Sequence, residues 1–341
     1  MSIEKSVFDQ DKMQAFLLRE YGFHLDEMRH LPFGTANCYK ISCREGTYFF
    51  KEYQSRFDLQ DVKKETELVG FLDSKDFPVA RFIKTTGGDS CILFEGHAVS
   101  VQEYLEGETY LNDLPHALFK ECAKYLGILH SVLKGYPMES ELDEKWAGSI
   151  SVDAVNKKYD RLIDALEKER SDPKYDRIKE DFLFKKDLFG HIEDMKRYFK
   201  GITYTPSHGD YTSCQLICDG DHVKAVIDFS SAAKLPPVWE IMRSYIQAGA
   251  CRNGKTFDIA DFAEYVKEYM KYSPLTRRDL EAMPYIYLFQ LSRSAYGYEE
   301  YLIDKTENRD ALLDFALWRT DICREVYKKA DAISEALSGL I

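Results

Sequence analysis

Read for the spacing of its apolar positions, the chain changes texture about a third of the way along. Residues 8 to 20 are spaced as a short helix. After them come the β-rich runs MRHLPF, NCYKIS, TYFFKEY, ARFIKT and CILFEG, separated by the turn formers FGTA, REG and GGD. One helix interrupts the series: in DLQDVKKETELVGFLD the residues Leu59, Val62, Leu68, Val69 and Leu72 recur at helical spacing. The expected order is three strands, a helix, then two or three strands.

From about residue 108 onward the pattern is helical apart from a β-like island at 204–229. Leu111, Leu114, Leu118, Cys122, Leu126, Leu129 and Leu133 form one apolar stripe, residues 150–200 supply two charged amphipathic helices, and 236–338 supply three or four more. The pattern predicts an α+β chain with a small β-rich lobe and a larger, mainly helical one. Their junction is expected within VQEYLEGET, where a strand ends near Gly107, so that residues 1–106 form the first lobe and 107–341 the second.

Composition narrows the functional classes. With 341 residues, 45% of them hydrophobic, the chain can bury a real core. It has no run of 18 apolar residues, and MSIEKSVFDQDKMQ carries charges where a signal peptide needs an apolar stretch, so neither a membrane span nor export is expected and the expected address is cytoplasmic. The eight cysteines include no CxxC pair, and neither Cys38 with Cys43 nor Cys214 with Cys218 fits a zinc site well; reduced, mostly buried thiols are expected. A net charge of -12 opposes binding to nucleic acid, and basic stretches such as KYDRIKEDFLFKK read as solvated helix faces.

Phosphoryl transfer from ATP requires a cover over the phosphates, a cation on them, a metal held by oxygen ligands and a carboxylate near the attacking hydroxyl. The turn in LPFGTANCYKI offers Gly34, Thr35 and Asn37, small residues that let backbone N–H groups approach phosphate oxygens. Lys51 ends the apolar strand TYFFK, and Glu65, fourteen residues later, falls on the following helix. An inward lysine is costly unless paired, and Glu65 fits the spacing to Leu68, Val69 and Leu72 better than the rival Glu67. Further on, SHGDYTSCQLI and AVIDF place Asp210 and Asp228 eighteen residues apart, each at the edge of a short predicted strand. A hairpin can bring such carboxylates together, and without an obvious basic partner a hard cation such as magnesium resolves their repulsion.

These residues, in this order, resemble the aminoglycoside phosphotransferase and choline kinase-like family, which also includes homoserine, methylthioribose and spore-coat-associated members. The family pattern HGDxxxxN followed by I-D-[FWY] is met by His208, Gly209 and Asp210 and by Ile227, Asp228 and Phe229. The resemblance extends to the loop at Gly34, to Lys51, Glu65 and the hinge VQEYLEG, and to LGILH with His130; it covers about residues 25–300. It implies a protein-kinase-like bilobal fold with a hinge at about 101–107. It further implies a small-molecule kinase using ATP or GTP with Mg2+ to phosphorylate a hydroxyl of an amino alcohol, aminoglycoside or sugar. By the same resemblance Asp210 orients and deprotonates the acceptor, and Asp228 binds magnesium. Lys51 contacts the α- and β-phosphates, and Gln102, Glu103, Tyr104 and Leu105 receive the nucleobase. His208, a second catalytic candidate beside Asp210, is expected chiefly to hold the loop, and His130 to be a core histidine.

The chain departs from the family at Gln215, where the pattern has a metal-ligating asparagine. Glutamine has the same amide oxygen on a stem one methylene longer, so it can ligate if the backbone retreats by about an ångström. A functional ligand, a weak enzyme and a kinase-like binding or scaffold protein all remain open on this residue. In LPPVWEIMRSY, Glu240 stands where the family anchors its catalytic loop with aspartate, and Arg243, one turn on, is expected to pair with it. In YIYLFQLSRSAYGYEEYL, residues Tyr285, Tyr287, Tyr296, Tyr298, Glu299 and Glu300 could wall an ammonium group, or could be an ordinary amphipathic helix. The H-R-D, D-F-G and A-P-E set of protein kinases is absent, as are GxxxxGK[ST], GxGxxG, HExxH and GxSxG.

Overall fold

The computed structural model describes residues 4–31, 36–138, 151–191, 197–250 and 256–341, and Gly34 and Thr35 lie outside them. The chain forms two compact units. One comprises residues 2–109 with 214–232, and the other residues 110–213 with 233–341. Residues 214–232 thus pack with the first 109 residues rather than with the helices that flank them in sequence.

The first unit is built on an antiparallel sheet. Its strands are β1 (Leu25–Leu31), β2 (Asn37–Cys43), β3 (Gly46–Glu52), β4 (Phe82–Ile83), β5 (Cys91–Phe94) and β6 (His97–Glu103), in the order β1-β2-β3-β6-β4 with β5 also on β6. The helix α1 (Gln10–Tyr21) is capped by Asp9, whose side chain accepts from the Lys12 N–H, and ends on Gly22. Its Phe16 and Leu17 pack with Phe8, Ile41, Phe50, Val99 and Val101 in one core, and full burial of a phenylalanine there stabilises by roughly 1.5–3 kcal/mol. The helix α2 (Leu59–Asp73), capped by Asp58, turns Val62, Glu65, Leu68, Val69 and Leu72 inward. A hairpin of β8 (Leu216–Asp219) and β9 (His222–Val226) completes the unit. The strand before the junction ends at Glu103 rather than near Gly107. Gly107 instead lies against β8, where a Cβ would come within 2.5 Å of Ile217 Cγ2 and 2.7 Å of the Cys218 carbonyl, so only glycine fits.

The second unit contains α3 (Phe119–Leu133), α4 (Val152–Leu166), α5 (Tyr175–Gly190), α6 (Pro237–Tyr245), α7 (Ile259–Met270), α8 (Arg277–Arg293) and α9 (Arg309–Ser338), with a short strand pair of β7 (Thr205–Ser207) and β10 (Ala233–Leu235). The apolar stripe expected from Leu111 begins later. Pro115 disfavours helix in the residue before it, α3 starts only at Phe119, and Leu111 is exposed. The helix α8 begins with a Thr276–Asp279 capping box, and the fully buried Asp279 also accepts from the N–H and hydroxyl of Thr203. A second difference from the sequence reading lies on α5. Its buried stripe Ile178, Asp181, Phe182, Lys185, Leu188 and Phe189 contains two charged residues, so this stretch is not merely a solvated face. Among the described residues no helix is long and apolar enough to cross a membrane, and the seven described cysteines are free thiols.

Candidate active site

In the sheet unit Lys51 projects from β3, where strand pairing sets it opposite Cys38 and Ser100 and burial leaves its ammonium nowhere to go but to a carboxylate. Its Nζ lies 3.0 Å from Asp228 Oδ1 and 3.9 Å from Glu65 Oε1. Tyr53, whose ring lies 4.6 Å below the ammonium, donates to Glu65 Oε2 at 2.9 Å. Burial works against the Lys51 charge, but Glu65, Tyr53 and Asp228 outweigh it and hold the ammonium well above its ordinary range. The rival Glu67 is exposed.

Asp228 follows β9 and adopts φ 61°, ψ 71°, a left-handed conformation that costs a non-glycine residue about 1 kcal/mol or more. The register of β8 and β9 carries Gln215 to the same end of the hairpin. Leu216 faces Val226, and the Gln215 carbonyl accepts from the Ile227 N–H at 2.9 Å. A carboxylate and a side-chain amide therefore leave the hairpin at neighbouring positions, both hard oxygen donors of the kind magnesium takes while phosphate oxygens and water complete its shell. Among the described residues no group of three or more His, Cys, Asp or Glu is placed to hold a metal by itself.

The other candidates on this unit are more dispersed. Asn37 starts β2 rather than lying in the turn, and its amide donates to the Glu4 carbonyl at 3.0 Å. Gln102 reaches the Ala80 carbonyl at 3.4 Å, and Glu103 pairs with Arg81, which holds its carboxyl below the usual range. The Tyr104 ring lies 4.0 Å from Lys40 Nζ, and Leu105 is half-buried in the irregular stretch after β6.

In the helical unit the loop 208–211 is wrapped around one carboxylate. Glu240, fully buried on α6, accepts from the N–H groups of His208 (3.1 Å), Gly209 (2.6 Å) and Tyr211 (3.4 Å), and His130 Nε2 lies 2.9 Å from its Oε2. Burial pushes its carboxyl up, yet the His130 bond, the nearby His208 and the Tyr211 N–H outweigh it and hold it below the usual range. Gly209 has φ 81°, a conformation that favours glycine and turns its N–H into the cradle. His208 is fully buried and its Nδ1 accepts from the Asp210 N–H at 3.3 Å, so its ring braces the loop. His130 is a core histidine, bonded also to the Tyr269 hydroxyl at 2.8 Å. Tyr211 locks the far side by donating to the Cys122 carbonyl at 2.9 Å.

With its backbone spent on Glu240, the loop leaves the Asp210 side chain 37% exposed and ion-paired to Arg243. The expected Glu240–Arg243 pair is thus not what forms, because three backbone donors and a histidine already fill the glutamate. Arg243 turns to Asp210 and lies over the Trp239 ring at 5.5 Å. Of the two readings open for 285–300, ordinary packing fits the contacts better than an aromatic and acidic wall. Tyr298 is buried and donates to Asp181 at 2.7 Å, Tyr285 stacks on Tyr198 and bonds Asp331, Glu299 pairs with Arg161, and Glu300 accepts from the Gly297 N–H.

Similarity to known proteins agrees with this arrangement. Structures with the same fold include an amicoumacin kinase bound to AMP-PNP, Ca2+ and its antibiotic (14% identity, 93% of this chain and 94% of that one, TM-score 0.65). They also include a spectinomycin phosphotransferase with ADP and spectinomycin (12%, 95% and 100%, 0.68) and a microcompartment-associated aminopropanol kinase (13%, 96% and 99%, 0.61). No curated protein matches the sequence. The fold is therefore protein-kinase-like and α+β, with a β-sheet N-terminal region and a mainly helical C-terminal one. Residues 29–279 match the family model of the phosphotransferase enzymes, and the chain belongs to that family.

Proposed function

We propose that the protein transfers the terminal phosphoryl group of ATP or GTP to a hydroxyl of a small molecule. The observation that carries this reading is Lys51, a buried ammonium held between Glu65 and Asp228. A lysine so placed has a structural partner on α2 and a second carboxylate that a metal–nucleotide complex can take over. In this reading the sheet unit binds nucleotide, with Lys51 on the phosphates and Asp228 and Gln215 as the residues that would hold magnesium. The ion, when bound, neutralises charge on the phosphate oxygens.

The helical unit supplies Asp210. Its carboxylate orients the acceptor hydroxyl and accepts its proton as the acceptor oxygen bonds to the γ-phosphorus. The bond from that phosphorus to the bridging oxygen breaks, and the leaving nucleoside diphosphate keeps the electron pair. Arg243 fixes the direction of the carboxylate, and Glu240 and His208 fix the backbone that carries it. These last two are positioning residues.

Melting temperature measured with ATP or GTP, with and without magnesium, tests the reading. At ~100 times its dissociation constant a nucleotide should stabilise the protein by about 2.7 kcal/mol. Asp228→Ala should remove the magnesium-dependent part. Absence of any nucleotide effect would make this a kinase-like binding or scaffold protein.

A further inference from the structure

The chemistry left unexplained in the helical unit is a cluster of cations, of which Lys185 is buried and Lys158, Arg293 and Arg319 are half-buried. Lys185, on the apolar stripe of α5, is almost fully buried and donates to the Ser294 carbonyl at 2.9 Å, with its ammonium 5.3 Å from the Tyr298 ring. Lys158 of α4 donates to the neighbouring Arg293 carbonyl. Arg293, at the end of α8, makes a hydrogen bond to Gln290 at 2.7 Å. Arg319 of α9 lies over the Phe315 ring at 5.5 Å. Its Nε is sealed from solvent without a hydrogen-bond partner, and among the described residues it makes no ion pair.

Among the described residues none of the nearby acids makes an ion pair with Lys158, Lys185 or Arg319. Asp181 is taken by Arg324 at 2.5 Å, by Arg177 and by Tyr298; Glu299 is taken by Arg161; Glu300 accepts from the Gly297 N–H. Asp210 is itself paired with Arg243, whose own Nε is buried without a hydrogen-bond partner. Burial pulls the Lys185 ammonium down to about 7. Cys323 and Asp181 pull it the other way, and Arg319 and Lys158 add to the drop. The Arg319 charge is also disfavoured, first by burial and then by Arg243. The cations feel one another in a chain from Lys158 to Lys185, Arg319 and Arg243, which ends at Asp210. Tyr296, 47% exposed, is within electrostatic reach of Arg319 and Asp210 and marks a side open to solvent.

Uncompensated buried charge is expensive, and proteins keep it where a ligand supplies the counter-charge. Capping of the last α8 carbonyls explains why Lys158 and Lys185 point where they do, but not why the Arg319 Nε is sealed without a hydrogen-bond partner. We infer that the acceptor is an anionic hydroxyl compound, a hydroxy acid or a sugar phosphate, whose carboxylate or phosphate is bound by Arg319 and Lys185 while its hydroxyl meets Asp210. This rests on the phosphotransferase reading for the fate of the hydroxyl, but the anion site itself does not depend on it. It departs from the amine-bearing acceptor that the tyrosines and glutamates of 285–300 suggested in the sequence.

The test is a matched series that differs at one carbon: D-gluconate, D-glucitol and D-glucamine, with glucose 6-phosphate as the phosphate arm. Each is titrated into the full chain by calorimetry, and each is supplied with Mg-ATP while ADP release is followed. The inference expects gluconate or glucose 6-phosphate to bind or turn over roughly tenfold or more better than glucitol, the worth of one good ion pair, with glucamine worst. Whichever anion is preferred distinguishes carboxylate from phosphate. Arg319→Gln and, separately, Lys185→Met should each cut the anion-to-glucitol ratio by about tenfold. Preference for glucamine, equal responses to all four compounds, or no response to any of them overturns the inference, even if Mg-ATP binds and the kinase reading stands. Anion binding without any nucleotide binding would do the reverse, leaving the site and removing the phosphotransfer.

Discussion

Two clusters of buried charge in the helical unit are built on opposite terms. Around Glu240 every charge is answered: one carboxylate, three backbone N–H donors and a histidine whose other nitrogen is itself bonded. Around Arg319 and Lys185 the cations rest on ring faces and carbonyls, and the Arg319 Nε has no partner. A filled network of this kind rigidifies what it holds, whereas an unfilled one costs stability unless something else completes it. The first cluster is therefore architecture for the 208–211 loop, and the second is a place prepared for a ligand. Asp210 stands where they meet, its backbone held through the first cluster and its side chain through Arg243 to the second.

The sharpest way to break the comparison is at that meeting point. Asp210→Asn keeps the size and the loop but removes the proposed base, so steady-state phosphoryl transfer should fall by about 10²–10⁴-fold with little change in KM for nucleotide. A loss below tenfold would remove Asp210 from the chemistry. Glu240→Ala attacks the filled cluster and leaves His130 and three N–H groups without their acceptor. Urea unfolding should show a loss of about 3–5 kcal/mol, and a loss near zero would mean the loop is fixed by something else.

The unfilled cluster predicts the opposite sign. Lys185→Met removes a buried ammonium that no ion pair among the described residues offsets and should stabilise the ligand-free protein by at least about 1 kcal/mol at pH 7. The folded ammonium titrates at about 7 and the unfolded one near ~10.4, so between those values the unfolded chain binds more protons and wild-type stability rises with pH. The gap between wild type and variant should therefore shrink as unfolding is repeated from pH 7 toward pH 10. Asp181, Cys323, Arg319 and Lys158 are the groups that set this window. A gap that stays constant would show Lys185 to be compensated. The smallest effect belongs to the sheet unit, where Gln215→Asn shortens a candidate metal ligand by one methylene. The magnesium concentration for half-maximal activity should change by only a few-fold, about 1 kcal/mol or less.

Much of the fold was legible because its signals are local. The strand runs from NCYKIS to CILFEG, the helix with Glu65, and the four helices after residue 236 all rest on period and punctuation, which any window of the chain displays. The exceptions were local competitions, such as Pro115 delaying α3 past Leu111. The Lys51–Glu65 pair was foreseeable because an inward lysine on a strand must find a carboxylate on whatever packs there. The cationic group was missed although α5 carried a signal, since Asp181 and Lys185 stand at i and i+4 on the same face as Ile178, Phe182 and Phe189.

The sequence by itself determined the order of elements, the candidate carboxylates and the family, because periodicity, spacing and motif order are properties of the chain. Only the tertiary structure decided which charge meets which. Arg243 lies one turn from Glu240 and yet pairs with Asp210, since the glutamate's oxygens are filled by N–H groups some thirty residues away. Arg319 and Lys185, far apart in sequence, come within electrostatic reach of each other, and among the described residues neither makes an ion pair. Pairing in a buried site is a contest among all groups that arrive there, and the chain order does not record who arrives.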